Sequence, residues 1–264
     1  MKIDITELKP KKAVLKIEDT KPYFVNSLRR IMLSDLPKLA VENVVIYDNT
    51  SALFDEIISH RLGMVPIPTD LSLIKFKDEC VCKGKGCPNC TVRYTLSKEG
   101  AGVVYSGDLQ PEEKTWAIKE DKIPIVQLYN DQRLILEMEA VLGRGRDHAK
   151  WQPVQAPGYK YYPIVEIDQK KCNLCKKCVE TCPKNILEIK NNKLVVTDIE
   201  KCTTCKSCME ICENNAITTK GDENKFVFHF ETDGSLNAKD ALIESVKILA
   251  EKYEELGRLL KKLK

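Results

Sequence analysis

Apolar and polar residues alternate at the start of the chain, which is the pattern of a strand with one face turned towards a core. Ile3 and Ile5 share one face of the first run, and Leu15 and Ile17 share one face of the second. The pattern predicts two half-buried strands in this segment. Another apolar run, at residues 41–47, predicts a further strand.

Two helices are predicted within the first 62 residues. Thr20 is suited to cap the first, and Pro22 fits its first turn because no backbone hydrogen bond is needed there. The apolar side of this helix carries Phe24, Leu28 and Ile31. Pro37 ends the helical pattern, and residues 51–62 form the second helical stretch.

The middle of the chain has the pattern of a mainly β region. Residues 63–165 contain several short strand-like runs, including 103–105 and 133–141. Further along, Asn191 and Asn192 separate two short apolar runs, which predicts a β-hairpin. A last strand with one strongly apolar face is expected from the alternating residues Phe226, Phe228 and Phe230.

A long amphipathic helix is predicted from about Ala238 to the end of the chain. Its apolar residues alternate spacings of four and three, as in a heptad seam: Leu242, Val246, Leu249, Tyr253, Leu256, Leu260 and Leu263. Such a helix packs either on its own domain or on a helix of a partner. The length of the seam and its place at the end of the chain favour the partner.

Composition narrows the class of protein. The chain has 264 residues, enough for two or three domains, and 31% of them are charged against 43% apolar. The net charge of +3 does not favour sequence-specific DNA contact. Neither a signal peptide nor a membrane span is evident. Twelve cysteines without an export signal indicate metal binding in a reducing compartment, so a cytoplasmic protein is expected.

Eight of the cysteines repeat one spacing, C-x2-C-x2-C-x3-C, with an offset of 30 residues between Cys172 and Cys202. This is the spacing of iron–sulfur ligands in two-cluster ferredoxins, where the fourth cysteine of each run serves the other cluster. The first quartet is therefore Cys172, Cys175, Cys178 and Cys212. The second quartet is Cys182, Cys202, Cys205 and Cys208. One or two clusters are expected, [4Fe–4S] or [3Fe–4S], and a disulfide or zinc module is the simpler alternative.

The two quartets are not equivalent in sequence. Cys182 is followed by Pro183, as in the ferredoxin run, whereas Cys212 is followed by Glu213 and lacks this turn-fixing proline. We therefore expect the second quartet to hold the more robust cluster. The first quartet holds a second cluster, stays empty, or closes into a disulfide.

The other four cysteines form a short segment, the cysteine loop, with the spacing C-x-C-x4-C-x2-C: Cys80, Cys82, Cys87 and Cys90. Gly84 and Gly86 allow this loop to fold back so that four sulfurs converge. Four thiolates in a tetrahedral arrangement suit zinc. A disulfide or thiols without metal remain the alternatives.

Several segments resemble the alpha-type subunits of RNA polymerase. Phe24–Leu33 (FVNSLRRIML) is similar to their N-terminal helix, and Asp55–Ile67 resembles a segment shared by the archaeal D subunit and the eukaryotic third subunit. His148–Val154 and Glu231–Ser235 resemble two further family segments, and the cysteine loop is similar to the zinc loop of the eukaryotic homologue. A ferredoxin-like insert narrows the resemblance to the archaeal D subunit, from which the chain departs at Glu213.

The resemblance implies an α+β fold with a discontinuous dimerisation domain, made of residues 1–38 and 223–264. A mainly β domain, residues 39–165, and a ferredoxin-like domain, residues 166–222, are inserted into it. It implies a non-catalytic scaffold subunit of a nucleotidyltransferase complex, which pairs with the smaller L-type subunit and nucleates assembly of the two large subunits. The main rival is an electron-transfer subunit of an oxidoreductase, but it leaves most of the chain unexplained. Neither a nucleotide-binding glycine motif nor a polymerase-type metal triad is evident.

Overall fold

A computed structural model of the chain describes residues 1–262. Leu263, the last predicted seam residue, lies outside the described residues. The strands are β1 (Lys2–Lys9), β2 (Lys12–Glu18), β3 (Pro37–Asn49), β4 (Thr91–Glu99), β5 (Gly102–Tyr105), β6 (Gln110–Pro111), β7 (Pro124–Leu128), β8 (Arg133–Arg144), β9 (Val154–Ile167), β10 (Leu187–Lys190), β11 (Lys193–Val196) and β12 (Ile217–Thr232). The α-helices are α1 (Pro22–Ser34), α2 (Asp55–Gly63), α3 (Lys177–Thr181), α4 (Ser207–Glu210) and α5 (Ala238–Lys261). The predicted helix starts near Pro22 and Ala238 are confirmed.

In residues 1–262 the strands form two four-stranded sheets and two antiparallel two-stranded pairs. One sheet has the order β1-β2-β12-β9, and the other has the order β3-β8-β4-β6. The pairs are β5 with β7 and β10 with β11. The hairpin predicted at Asn191 and Asn192 is confirmed, and both residues have a positive φ, as a tight two-residue turn requires.

Contacts divide the chain into two compact units, and the first comprises Met1–Thr6, Val14–Asn26 and Gly158–His229. It contains the cysteine-rich module. Phe226 and Phe228 of β12 are fully buried, as the alternation predicts. Around Phe226, the rings of Tyr159 and Tyr161 lie at centroid distances of 5.9 and 5.2 Å.

The half-burial predicted for the first strand is wrong. Ile3 and Ile5 of β1 are 51% and 59% exposed, whereas Leu15 and Ile17 of β2 are buried. β1 lies at the edge of its sheet, next to β2. Alternation therefore identified the strand, but it did not reveal that its apolar face is left open.

The second unit comprises Glu7–Ala13, Ser27–Pro157 and the chain from Phe230 onward. Its core lies on the sheet β3-β8-β4-β6, and α2 contributes Ile58 and Leu62 to it. Within this core the hydroxyl of Tyr94 donates a hydrogen bond to the Trp116 carbonyl at 2.7 Å. Burial of a polar group is thereby compensated, because a buried hydroxyl without a partner is costly.

Within the second unit, α5 is joined to the end of α1 by a buried carboxylate. Asp35 accepts a hydrogen bond from Lys252 of α5 at 3.0 Å and pairs with Arg146 at 3.4 Å. Burial acts to raise the pKa of Asp35, but the hydrogen bonds from Ser34 and Lys252 and the charge of Arg146 lower it. The carboxylate is thus held ionised between three elements of this unit.

The apolar seam of α5 is covered only in part. Leu249 is buried, at 7% exposed. Tyr253, Leu256 and Leu260 are 53%, 51% and 55% exposed. In the first half of the seam Val246 is 45% exposed, so that half is covered only at some positions, and the second half is an open apolar surface.

In residues 1–262, no helix has both the length and the apolar content that crossing a bilayer demands.

Candidate metal centres

The two cysteine runs fold in the same way. Lys176 and Lys206 have φ values of 65° and 67°, and each immediately precedes a short helix, α3 or α4. Leu174 and Thr204 are also left-handed, at 62° and 52°. Left-handed backbone costs roughly 1 kcal/mol or more per non-glycine residue. Both runs therefore adopt a strained loop that turns successive cysteines inwards.

The second quartet surrounds one pocket. Cys182, Cys202, Cys205 and Cys208 all line this pocket, together with Pro183. The first quartet surrounds another. Cys172, Cys175, Cys178 and Cys212 all line this second pocket. The fold thus brings together the two quartets in the crossed arrangement that the spacing predicts, with the fourth cysteine of each run in the other pocket.

The donor sets fit a multinuclear cluster better than a single ion. All eight thiols are free, and among residues 1–262 neither quartet brings its sulfurs within 4.8 Å of one another, as one metal ion would require. Four thiolates arranged more widely are the donor set of an iron–sulfur cube. The Thr204 and Ala216 amides donate to the sulfurs of Cys202 and Cys212, at 3.4 and 3.3 Å. Such hydrogen bonds stabilise thiolate ligands.

Without metal, parts of both quartets favour the protonated thiol. Burial and the neighbouring cysteines raise the pKa of Cys208 to about 11, and burial likewise raises the pKa of Cys178. The hydroxyl and backbone of Ser207 lower the pKa of the more exposed Cys205. Binding a metal therefore has to displace protons from the inner cysteines, which couples metal binding to pH.

Glu213, which stands where the ferredoxin run has proline, forms an ion pair. Its carboxylate lies 2.5 Å from the ammonium of Lys177 in α3. The pair joins the chain after Cys212 to the helix that carries Cys178, so it links the two parts of the first quartet. Both side chains are well exposed, and exposed ion pairs contribute little stability. The expected inequality of the quartets stays a prediction.

Cys205→Ser is expected to remove most of the iron from the protein, whereas Cys175→Ser removes little, because only the second quartet has the turn-fixing proline. Both residues are exposed cysteines in equivalent loops, so each variant controls for the other. Iron and acid-labile sulfide are measured per chain after anaerobic purification. Equal losses of iron and sulfide from the two variants would contradict the predicted inequality of the two quartets.

The cysteine loop has different geometry. The sulfur of Cys80 lies 3.5 Å from that of Cys87, and the sulfur of Cys90 lies 3.5 Å from Cys82 and 3.9 Å from Cys87. All four sulfurs lie within 4.8 Å of one another. Tetrahedral zinc with ligands at about 2.3 Å places its sulfurs about 3.8 Å apart. The arrangement therefore fits a single zinc ion.

Local backbone and electrostatics of the cysteine loop favour this fit. Gly84 and Gly86 have φ values of 81° and 82°, a conformation that glycine adopts at low cost. Burial acts to raise the pKa of Cys82, but hydrogen bonds from Cys80, Cys90 and the backbone of Gly86 lower it to about 6. A thiol with such a pKa is largely ionised near neutral pH and ready to bind a metal.

The loop is expected to bind one zinc ion per chain, and Cys87→Ser is expected to lose nearly all of it, because three thiolates seldom retain structural zinc. Val81→Ser is the matched control, since this loop residue is 86% exposed and all four ligands stay. Metal content is determined by mass spectrometry of the elements. A wild-type protein free of zinc would contradict the assignment.

Residues other than cysteine also hold the second quartet in place. The ammonium of Lys160 in β9 donates to the carbonyls of Glu200 and Cys202 at 2.5 and 2.9 Å. No sequence pattern points to Lys160, because it lies some 40 residues before these partners in a strand of ordinary pattern.

Two family models match the chain. The RNA polymerase Rpb3/RpoA insert domain matches residues 44–168. The 4Fe-4S dicluster domain matches residues 164–213, the segment that contains both quartets. The α+β fold class, with an alpha-type insert domain and a ferredoxin-like domain, is confirmed.

Proteins named DNA-directed RNA polymerase subunit Rpo3 are similar to this chain over nearly its whole length. The protein of Methanothermobacter thermautotrophicus is 45% identical, over 88% of this chain and 89% of its own length. That of Methanosarcina acetivorans is 41% identical, over 100% and 99%. That of Archaeoglobus fulgidus is 40% identical, over 99% and 98%. The resemblance therefore extends well beyond the cysteine-rich module.

Proposed function

The chain belongs to the Rpo3 family of DNA-directed RNA polymerase subunits, and we propose that it pairs with a small L-type subunit and nucleates assembly of the two large subunits. In this role it is a non-catalytic, alpha-type subunit of a nucleotidyltransferase complex. We further infer that the Rpo3 family corresponds to the archaeal D subunits, and that the protein works in the cytoplasm.

The observation that carries the pairing is the open half of the α5 seam. Tyr253, Leu256 and Leu260 present apolar side chains at heptad spacing and are about half exposed. The preceding turn of the same helix is fixed by the Lys252–Asp35 interaction. A rigid helix with an uncovered apolar stripe is suited to pack against a helix of a partner.

The division into domains follows from the same proposal. Residues 1–38 and 223–264 form the dimerisation domain, and residues 39–165 and 166–222 are the two insertions. The family-model matches at 44–168 and 164–213 support these insertions. The cysteine-rich insertion carries one or two iron–sulfur clusters, and the cysteine loop carries zinc.

The cluster serves to fold the inserted module, and its surface then helps to recruit the large subunits. Thiolate-ligated iron crosslinks two segments of chain, and when bound it can also accept an electron. The electron-transfer reading is not favoured, because similarity to polymerase subunits covers the whole chain and not only the module.

The test is capture of the tagged full-length chain from its native source, followed by mass identification of the bound chains. A small alpha-type subunit and two large polymerase subunits are expected in constant ratio. Recovery of the chain with a redox enzyme, together with reversible reduction of the cluster by that enzyme, would contradict the proposal.

A further inference from the structure

Lys160 holds the start of the second cysteine run through its backbone. This residue lies in β9, and its half-buried ammonium donates to the carbonyl oxygens of Glu200 and Cys202. The two carbonyls flank the first cysteine of the run, which is 8% exposed. Hydrogen bonds from a charged donor are stronger than those between neutral groups. The bonds therefore fix the position and direction of the backbone that carries Cys202.

A second lysine acts at the same place. Lys16 of β2 forms an ion pair with the carboxylate of Glu200. This interaction raises the pKa of Lys16, chiefly through its hydrogen bond to Glu200, so the lysine stays charged. The segment that leads into the second cysteine run is thus held to two strands of one sheet, β2 and β9.

The first cysteine run is held differently. Thirty residues earlier, the equivalent segment precedes Cys172, whose amide donates to the Asp168 carbonyl at 3.1 Å. The carbonyl of Lys171 accepts a hydrogen bond from the Asn214 side chain at 3.1 Å. These contacts come from residues of the repeat and its immediate neighbourhood. The two halves of the repeat thus differ in what anchors them.

We propose that Lys160 is a positioning residue for the second cluster: its ammonium keeps Cys202, and through it Cys205 and Cys208, in the geometry that binds iron. The proposal rests on the assignment of an iron–sulfur cluster to the second quartet. It predicts that the stability of this cluster depends on a charged donor at position 160, whereas the stability of the cluster in the first quartet does not.

The experiment measures which cysteines of the full-length protein are protected. Wild-type, Lys160→Met, Lys160→Arg and Lys220→Met proteins are reconstituted with iron and sulfide, exposed to a chelator, and treated with iodoacetamide. Peptide mass spectrometry then gives the alkylation rate of each cysteine. Lys220→Met is the matched control, since this lysine lies on β12 of the same sheet and pairs with an exposed carboxylate, Glu166.

In Lys160→Met, alkylation of the second quartet is expected to rise roughly tenfold, which is the effect of losing a charge-assisted hydrogen bond. The first quartet and the cysteine loop are expected to stay as protected as in the wild type. Lys160→Arg retains the charge and the donors, so it is expected to restore most of the protection.

Three results would overturn the proposal. One is a Lys160→Met protein whose second quartet stays protected, and another is a Lys160→Arg protein as unprotected as the methionine variant. The third is an equal loss of protection from alkylation at both quartets, which would indicate general destabilisation of the module. A wild-type protein whose second quartet is unprotected after reconstitution would instead refute the cluster assignment, so the two failures are distinguishable.

Discussion

Replacing Leu256 and Leu260 with aspartate is expected to abolish pairing with the small L-type subunit. Both leucines are about half exposed on α5 and would be buried by a partner helix. Full burial of a leucine contributes about 2 kcal/mol, and a partner would bury only the exposed half of each, so losing both contacts weakens binding by roughly thirtyfold. The new carboxylates add a further penalty, because they would be desolvated without a counter-charge.

Leu249 is not a suitable site for this test, although it belongs to the same seam. It is only 7% exposed in the chain by itself, so a charge there disrupts the fold of the chain. The two chosen leucines are exposed, and their replacement is expected to leave the isolated chain folded.

The control for the seam carries the same change in net charge on another side of the helix. Arg258→Gln with Lys261→Gln also lowers the charge by two, and the pair of Arg258 with Glu254 is exposed and contributes little. Co-elution with the small subunit and calorimetric titration measure binding, and thermal unfolding reports the fold. Wild-type affinity in the Leu256→Asp, Leu260→Asp protein would show that this seam does not mediate pairing.

Removal of the iron–sulfur clusters is expected to unfold residues 166–222 while the rest of the chain stays folded. The buried core of the module is small: Cys178, Ile186, Leu187, Leu194, Cys202 and Ile217. Two of its six members are cysteines of the proposed metal sites. Left-handed loop residues at positions 174, 176, 204 and 206 add strain that the metal has to offset.

Hydrogen exchange measures this effect. On cluster removal, amide protection in the module is expected to fall by about a thousandfold or more. The amides of an unfolded module exchange freely, whereas those of the metal-bound module exchange only when the folded structure opens. Residues 39–157 serve as the internal control, because their core contains many buried residues of the sheet β3-β8-β4-β6. Retained protection in the cluster-free module would contradict a structural role for the metal.

The same cluster-free protein tests what the module does in assembly. Pairing with the small subunit is expected to persist, because the seam of α5 lies outside the module. Recruitment of the large subunits is expected to weaken, because the surface of residues 166–222 is lost. Reconstitution at the normal yield would reduce the module to a passive insertion.

Local patterns in the sequence were sufficient for most elements. Proline placed the start of α1, paired asparagines placed the β10–β11 turn, and alternating phenylalanines identified the buried face of β12. Each of these signals acts within a few residues, where steric limits on the backbone and the period of side chains decide the outcome. The spacing of eight cysteines also indicated which four belong to each quartet, because a cluster loop is a local structure.

Only the tertiary structure decided whether the apolar face of a strand or helix is covered. Periodicity grouped Ile3 with Ile5, and Leu249 with Leu256, but burial separates Leu249 from Leu256 and leaves both isoleucines open. Lys160 reached Cys202 only because β9 lies beside the second cysteine run in the fold. A sequence pattern determines which side chains share a face. The packing of distant segments determines whether that face meets a core, a cysteine run or solvent.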